Sequence, residues 1–139
     1  MTKTQSKTNY FMNQATALHA AAAKSSASIV RALIEAGADI EAQNSEKESP
    51  LYCAAAGNTA AVKLLLQSGA KVNILNWLNC SPLRRAAERN NRENVISLCQ
   101  TGADPYLGAS PLKSPDSIVS PDMKALIREY ANDQTLSNV

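Results

Sequence analysis

His19 is the only histidine of this 139-residue chain and the first side chain to consider for chemistry at neutral pH. Its imidazole could act as a general base or bind a metal, because histidine ordinarily titrates near neutrality. No nucleophile has a recognisable base partner, however, and no glycine-rich loop follows a predicted strand to hold phosphate. Glu46 and Glu48 form a carboxylate pair, but a pair exposed to water cannot raise a pKa for acid catalysis. The sequence therefore predicts no enzyme activity and no catalytic, cofactor-binding or metal-binding residue.

The cysteines and the overall charge limit the classes of protein to which this chain can belong. Cys53, Cys80 and Cys99 are odd in number and form no CxxC pair, which favours free thiols in a reducing compartment. The net charge of +2 is too small to indicate binding to nucleic acid or to an acidic membrane. No apolar run approaches the roughly 18 residues that span a bilayer, and the polar N-terminus lacks the apolar core of a signal peptide. We expect a cytoplasmic monomer, with the nucleus and non-classical secretion left open.

Two short phrases recur along the chain at nearly constant spacing. In the first, a hydroxyl residue is followed by a second residue, usually proline, and then by a leucine. The leucines are Leu18, Leu51, Leu83 and Leu112. The second is Gly-Ala followed by a polar residue, and its glycines, Gly37, Gly69 and Gly102, lie 32 and 33 residues apart. A fixed period of this size indicates stacked supersecondary units and outweighs local propensity.

The second repeat shows how each unit is expected to fold. Ser49 caps a helix whose first residue is Pro50, where the absent N–H costs nothing. Gly57 and Asn58 separate this helix from a second one, since both residues tolerate positive φ. Gly69 then ends the second helix in the left-handed conformation. Small and aliphatic residues at helical spacing form the inner faces of the two helices: Leu51, Ala54, Ala55, Val62, Leu65 and Leu66.

These residues resemble the ankyrin repeat, which has a hydroxyl-Pro-Leu-His start, paired alanines, a Gly-Ala-Asp turn and a β-like finger. Residues 16–19 lack only the proline, and residues 37–42 are close to the family's turn and finger. The resemblance covers roughly residues 13–132 and implies an all-α repeat solenoid, in which helix-turn-helix repeats are joined by β-hairpin-like fingers. The implied domains are a polar tail over 1–12 that ends in an apolar segment, repeats over about 13–44, 45–76, 77–108 and 109–132, and a tail over 133–139.

The resemblance also gives His19 a structural role. It occupies the family's histidine position, where the imidazole typically bonds the backbone of a neighbouring repeat. Tyr52, Arg84 and Lys113 stand at this position in the other repeats. The hydrogen bonds between neighbouring repeats must therefore come from different side chains at those positions.

The two ends of the array depart from the repeat pattern. Pro115 falls where an ordinary repeat has helix interior, which predicts a degenerate terminal repeat whose helix starts at Pro121. Before the first helix, Tyr10, Phe11 and Met12 have two open interpretations. They either fold over the apolar edge of the first repeat or form a docking segment for a partner.

The function implied by the resemblance is a non-catalytic protein-protein interaction module. In ankyrin-like stacks the partner is met by the finger tips and by the concave face of the inner helices. Mapped onto this chain, the partner-binding residues are Ser45, Glu46, Glu48, Trp77, Leu78, Arg84, Arg85, Glu88 and Arg89. The alternatives are an inhibitor of an enzyme such as a kinase or of a transcription factor, and, less favoured, a secreted bacterial effector or a fragment of a larger scaffold. The sequence does not name the partner protein.

Trp77 is the most conspicuous of these residues. It is the lone tryptophan and stands beside Leu78 at a predicted finger tip, where polar residues are usual. Tryptophan is enriched among the residues that dominate interface energies, so a partner contact is one interpretation. The other is that the indole packs across the neighbouring finger and stiffens it.

Arginines and glutamates alternate through the third repeat: Arg84, Arg85, Glu88, Arg89, Arg92 and Glu93. The i,i+4 pairs Arg84–Glu88 and Glu88–Arg92 are attractive and Arg85–Arg89 is repulsive, all on one predicted short helix. This pattern is typical of a self-paired solvated face, and it also suits an acidic partner. Carboxylates earlier in the chain would make the surface acidic at one end and basic at the other, which could orient a ligand: Glu41, Glu46 and Glu48.

Overall fold

The fold consists of helix pairs followed by one longer terminal helix. The computed structural model describes residues 16–115 and 117–137, and this part of the chain contains no β-strand. Its helices are α1 (Ala17–Lys24), α2 (Ala27–Glu35), α3 (Pro50–Ala55), α4 (Thr59–Gln67), α5 (Pro82–Glu88), α6 (Arg92–Gln100), a 3₁₀ helix (Pro111–Lys113) and α7 (Pro121–Ser137). The apolar segment 10–12, for which two roles were left open, lies outside the described residues.

The first helix of each full repeat begins at a hydroxyl residue, as the recurring phrase predicts. The hydroxyl oxygens of Thr16, Ser49 and Ser81 each accept a hydrogen bond of 3.2 Å from the backbone N–H three residues later. Pro50 and Pro82 occupy the first helical position, where the missing N–H leaves no partner unsatisfied. These caps fix where α1, α3 and α5 start.

The second helices of the second and third repeats begin at asparagine caps. The side-chain oxygen of Asn58 accepts from the N–H three residues later at 3.3 Å, and that of Asn91 does the same at 2.9 Å. The prediction that Gly57 and Asn58 interrupt the helices through positive φ is wrong, because neither has a positive φ. The side chain of Asn58 starts the new helix instead. In the third repeat, Asn90 does adopt the left-handed conformation, at φ 57°.

The helices pack in two layers that follow the order of the repeats. In one layer α1 contacts α3 and α3 contacts α5, and in the other α2 contacts α4 and α4 contacts α6. The paired alanines of the first helices are buried and allow the backbones to approach closely: Ala21, Ala22, Ala54, Ala55, Ala86 and Ala87. The leucines of the recurring phrase, Leu18, Leu51 and Leu83, are fully buried. Each contributes about 1.5–3 kcal/mol relative to exposure.

Two asparagine side chains connect successive repeats. Nδ2 of Asn58 donates to the carbonyl oxygens of Ala22 and Ser25, each at 2.9 Å, and so satisfies the C-terminal end of α1. Nδ2 of Asn94 donates to the carbonyl of Ala55 at 3.2 Å, at the end of α3. The starts of α4 and α6 are therefore tied to the ends of α1 and α3, the first helices of the preceding repeats.

The terminal repeat has one 3₁₀ turn in place of its first α-helix. Ser110 caps this turn, and the chain leaves it at Ser114, before Pro115, whose ring would clash with a continuing helix. The longer helix α7 packs against α6 and buries Met123 and Ile127. It continues to Ser137, beyond the predicted domain end at 132, because no glycine or proline follows to stop it.

Candidate partner-binding surface

The loops that join the repeats, at 36–49, 68–81 and 101–110, are called fingers 1, 2 and 3. The tips of fingers 1 and 2 are built around Asn44 and Asn76. Oδ1 of Asn76 accepts from the backbone N–H groups two and four residues later, at 2.9 Å each. Asn44 makes the same two bonds at 2.9 and 3.0 Å. Each tip is also closed by a backbone bond across it, of 3.2 Å in finger 1 and 3.0 Å in finger 2. The tips are thus ordered before any partner arrives.

All three fingers turn at a residue with positive φ. These residues are Lys47, Asn79 and Gly108, with φ of 60°, 61° and 61°. Only Gly108 is a glycine, and it needs to be: a Cβ there would collide with the carbonyl oxygen of Asn79 and the side chain of Leu75. Finger 3 therefore lies directly against finger 2. The three turn residues occupy equivalent positions in their fingers.

Large apolar side chains are exposed at the tips of fingers 2 and 3. Trp77 is 61% exposed, Leu78 is 58% exposed and Tyr106 is 62% exposed. We call these three residues the apolar tip set. Trp77 and Leu78 are among the binding residues predicted from the sequence, whereas Tyr106 is not. Its distance from the turn could have identified Tyr106 in the sequence, because Tyr106 precedes Gly108 by two residues, as Trp77 precedes Asn79. Finger 3 is shorter than finger 2, and this difference conceals the equivalence of the two positions.

Backbone hydrogen bonds connect neighbouring fingers. The N–H of Trp77 donates to the carbonyl of Glu46 at 3.0 Å and joins finger 2 to finger 1, and the N–H of Ala109 donates to the carbonyl of Asn79 at 2.7 Å and joins finger 3 to finger 2. Trp77 itself is largely exposed to solvent.

A shallow groove of about 280 Å³ lies between finger 1 and the inner helices. Its lining residues are Ala23, Lys24, Glu48, Tyr52, Cys53, Ala56 and Arg85. Burial raises the pKa of the Tyr52 phenol to about 12 and that of the Cys53 thiol to about 12, so both groups are neutral at physiological pH. The guanidinium of Arg85 lies over the Tyr52 ring, 5.9 Å from its centroid. The groove is smaller than the roughly 300–1,000 Å³ of small-molecule sites, and its size suits side chains of a macromolecular partner.

His19 has the structural role that the resemblance implied. Its Nε2 lies 2.7 Å from the carbonyl oxygen of Glu48, in the next repeat. A carbonyl can only accept, so Nε2 carries the proton, and Nδ1 accepts from the N–H of Thr16 at 3.2 Å. Both ring nitrogens are engaged and the side chain is 3% exposed, which leaves no nitrogen for a substrate or a metal.

Arg84 makes the corresponding contact in the third repeat. Its Nη1 donates to the carbonyl of Ala109 at 3.2 Å, and its Nε pairs with Glu88 at 2.5 Å. Arg85 also approaches Glu88, at 3.7 Å. The predicted Glu88–Arg92 pair on one helix is wrong, because α5 ends at Glu88 and Arg92 begins α6. Arg84 and Glu88 therefore position finger 3 and largely satisfy each other.

The other predicted binding residues differ in how accessible they are. Ser45 and Glu46 are exposed at the tip of finger 1, and Arg89 is exposed at the end of α5. Glu48 is half-buried, and its carboxylate accepts from Nδ2 of Asn44 at 3.1 Å. Glu46 and Arg89 are thus accessible to a partner, whereas Glu48 also has a structural contact.

Within residues 16–115 and 117–137, no group of three or more His, Cys, Asp or Glu side chains is placed to hold a metal ion. None of the helices in the same part of the chain has the length and apolar character needed to cross a membrane.

The comparison with protein families agrees with the fold. A family model described as ankyrin repeats (3 copies) matches residues 2–76 and residues 18–109, which together span well over half of the chain. The chain belongs to the ankyrin-repeat family, whose members generally mediate protein-protein interaction and are typically non-catalytic. Among curated proteins, no sequence matches this one closely enough to count as a relative.

Proposed function

We propose that this protein is a non-catalytic interaction module that binds a partner protein through its finger tips and the concave face of its inner helices. The observation that carries this function is the apolar tip set, in which three large side chains are more than half exposed on adjacent fingers. Single exposed apolar residues are ordinary, but adjacent ones mark interaction surfaces.

The construction of the tips supports binding with little loss of conformational freedom. Asn44 and Asn76 hold their loops with several hydrogen bonds each, and backbone bonds connect neighbouring fingers. Association normally costs free energy because flexible groups become ordered. A surface that is ordered in advance loses less, so its apolar contacts contribute more fully to affinity.

The binding residues have different roles in this proposal. Trp77, Leu78 and Tyr106 supply apolar contact, and Arg89 supplies charge. Arg84 and Glu88 position finger 3. Ser45, Glu46 and Glu48 form the first-finger edge of the surface, and Arg85 forms the wall of the groove.

In this proposal the protein acts in the cytoplasm as a monomer. The support for this compartment comes from the thiols of Cys53, Cys80 and Cys99, all of which are free. Free thiols are usual in compartments that keep cysteine reduced.

The test is partner capture from a cell lysate, with the wild type run beside Trp77→Ala and Tyr106→Ala. The matched control is Ile29→Ala, because Ile29 is 50% exposed on α2, away from the fingers. We expect at least one protein to be retained by the wild type and by Ile29→Ala and to be lost with both tip variants. Circular dichroism would establish that all four proteins are folded.

The opposite pattern would contradict the proposal. If the captured proteins are the same for the wild type and both tip variants, the apolar tip set is not the binding surface. If Ile29→Ala is the variant that loses the partner, the surface lies on the outer helices.

A further inference from the structure

The helical wall of the groove carries exposed positive charge. Lys24 and Arg85 line the groove from α1 and α5. Arg89 lies one helical turn beyond Arg85, at the end of α5, and so continues the same face. We call Lys24, Arg85 and Arg89 the cationic set.

The carboxylates near the cationic set are engaged in internal contacts. Glu48 accepts a hydrogen bond from a neighbouring amide at 3.1 Å, and Glu88 is bridged by two arginines of its own helix. Lys24 and Arg89, by contrast, are exposed. Within the described residues, neither side chain makes an ion pair or a hydrogen bond. The charge that this wall offers to a partner is therefore mainly positive.

The acidic end suggested by the sequence is much weaker in the structure. Glu41 uses one carboxylate oxygen to accept from the backbone N–H of Lys71 at 2.9 Å. Glu46 is exposed but stands next to Lys47, which is also exposed and partly offsets its charge. The surface is thus basic at the inner helices without an equally strong acidic counterpart at finger 1.

The apolar tip set and the cationic set are joined along the chain by Cys80. This residue follows the finger 2 tip directly, and its Sγ lies 3.8 Å from the carbonyl oxygen of Leu78. The next residue, Ser81, caps α5, and Arg85 and Arg89 follow that cap within about two helical turns. A short segment that lies along α5 therefore runs between the tip of finger 2 and these cations.

Building on the proposed function, we infer that the partner presents a short protein segment in which acidic side chains lie within a few residues of an aromatic or aliphatic anchor. The acidic side chains face the cationic set, and the anchor packs on the apolar tip set. Charge complementarity of this kind fixes the register of a bound segment and accelerates its association.

A nucleic acid would also bring negative charge, but the surface suits it less well. The net charge of the chain is only +2, whereas nucleic-acid binding relies on dense basic patches that neutralise several phosphates. Glu48 and Glu88 stand between the cations of the wall and interrupt the continuous basic patch that a phosphate backbone requires. Separate acidic side chains need only individual cations.

The experiment selects random peptides displayed on phage against the full chain. We expect the wild type to enrich peptides that combine Asp or Glu with an aromatic or aliphatic residue. Selection on Arg89→Glu should lose the acidic preference, and Lys24→Glu should weaken it, because each reverses one exposed cation. Arg31→Glu is the matched control: it makes the same charge change on an exposed position of α2.

The affinity of the most enriched peptide gives the quantitative measurement. We expect Arg89→Glu to weaken its binding by about tenfold and Arg31→Glu to leave it unchanged. Trp77→Ala should weaken the binding to a similar degree while the preference for acidic residues remains. Rising salt should weaken binding to the wild type more than to Arg89→Glu, because screening acts on the charge that the variant lacks.

Three outcomes would overturn the inference, and each leaves the proposed function to be judged by partner capture. One is enrichment of peptides without acidic residues, and another is that nothing is enriched. The third is a single-stranded oligonucleotide that displaces the peptide and binds equally well to Trp77→Ala, which would assign the wall to phosphate. If partner capture succeeds in any of these cases, the module binds proteins through a different chemistry.

Discussion

Nε2 of His19 lies 2.7 Å from the carbonyl oxygen of Glu48, a residue 29 positions further along the chain. This hydrogen bond joins the first inner helix to the base of finger 1 next to the groove. The single histidine of the chain is thereby part of a junction between repeats.

Replacing His19 should weaken that junction without affecting any chemistry. We expect His19→Ala to lower the free energy of unfolding by about 1–3 kcal/mol, because the Glu48 carbonyl and the Thr16 N–H both lose their partner. His19→Gln should recover much of the loss, since glutamine at the third position of a helix completes a capping box and carries an amide donor. Urea unfolding followed by circular dichroism provides the measurement. Equal losses in the two variants would contradict the hydrogen-bonding role.

Asn58 combines a helix cap with a bridge to the preceding repeat, and two variants separate these roles. Asn58→Asp keeps the acceptor that caps α4 but loses the donor to Ala22 and Ser25. Asn58→Ala loses both. We expect the alanine variant to be the less stable, by about 0.5–2 kcal/mol, which is the usual contribution of a cap. Thermal and urea unfolding would measure the difference, and an aspartate variant as unstable as the alanine one would argue against capping.

Lys47 and Gly108 occupy equivalent turns with nearly the same φ, and opposite substitutions should have opposite effects. Lys47→Gly removes the roughly 1–2 kcal/mol strain of a left-handed side chain, partly offset by the added flexibility of the unfolded chain. We expect a gain of up to about 1 kcal/mol. Gly108→Ala should destabilise, because its Cβ meets the carbonyl of Asn79 and φ stays positive. A loss of stability in Lys47→Gly would show that this turn is not strained.

Arg84 lies within α5 and Arg89 is its C-terminal cap residue, and the two should differ in what they contribute to stability. The Arg84 side chain is only 14% exposed and bonds to both Glu88 and Ala109, so Arg84→Ala should cost about 1–3 kcal/mol. Arg89 is exposed, and Arg89→Ala should change stability by less than about 0.5 kcal/mol. Equilibrium unfolding of both variants tests this contrast. Similar losses would mean that Arg89 has a structural role as well.

Alkaline pH should destabilise the fold through its buried thiols. Burial raises the pKa of Cys53 from 9.0 to about 12 and that of Cys99 to about 11. Above pH 9 the unfolded chain loses thiol protons that the folded chain retains. The contribution of these thiols to the free energy of unfolding is therefore complete below pH 9 and decreases as the pH rises toward their pKa values in the folded state. We expect Cys53→Ala to show a shallower decline than the wild type in urea unfolding at increasing pH. Cys80→Ala is the control, because its thiol is more exposed, and identical slopes for the wild type and Cys53→Ala would contradict the assignment.

The local parts of this fold could be predicted from the sequence because they depend on neighbouring residues. Ser49 and Ser81 cap helices within three positions, and Gly69 reaches the left-handed conformation because it has no Cβ. Lys47, by contrast, adopts the positive φ that Gly108 has in finger 3, although it is not a glycine. The prediction at Gly57 and Asn58 was wrong because a helix break through positive φ and a helix break through a side-chain cap favour the same residue type, asparagine. The sequence alone does not distinguish them.

The sequence by itself determined the period, the helix starts and the positions of the fingers, since these follow from local sterics and from hydrophobic spacing. Only the tertiary structure decided which side chains remain available to a partner. Arg84 and Arg89 look alike in sequence, but the carbonyl that engages Arg84 lies 25 residues away. Tyr106 joins Trp77 because Gly108 brings finger 3 against finger 2. Such long-range contacts leave no pattern in neighbouring residues, and here they separate the residues that hold the repeats together from those that face solvent.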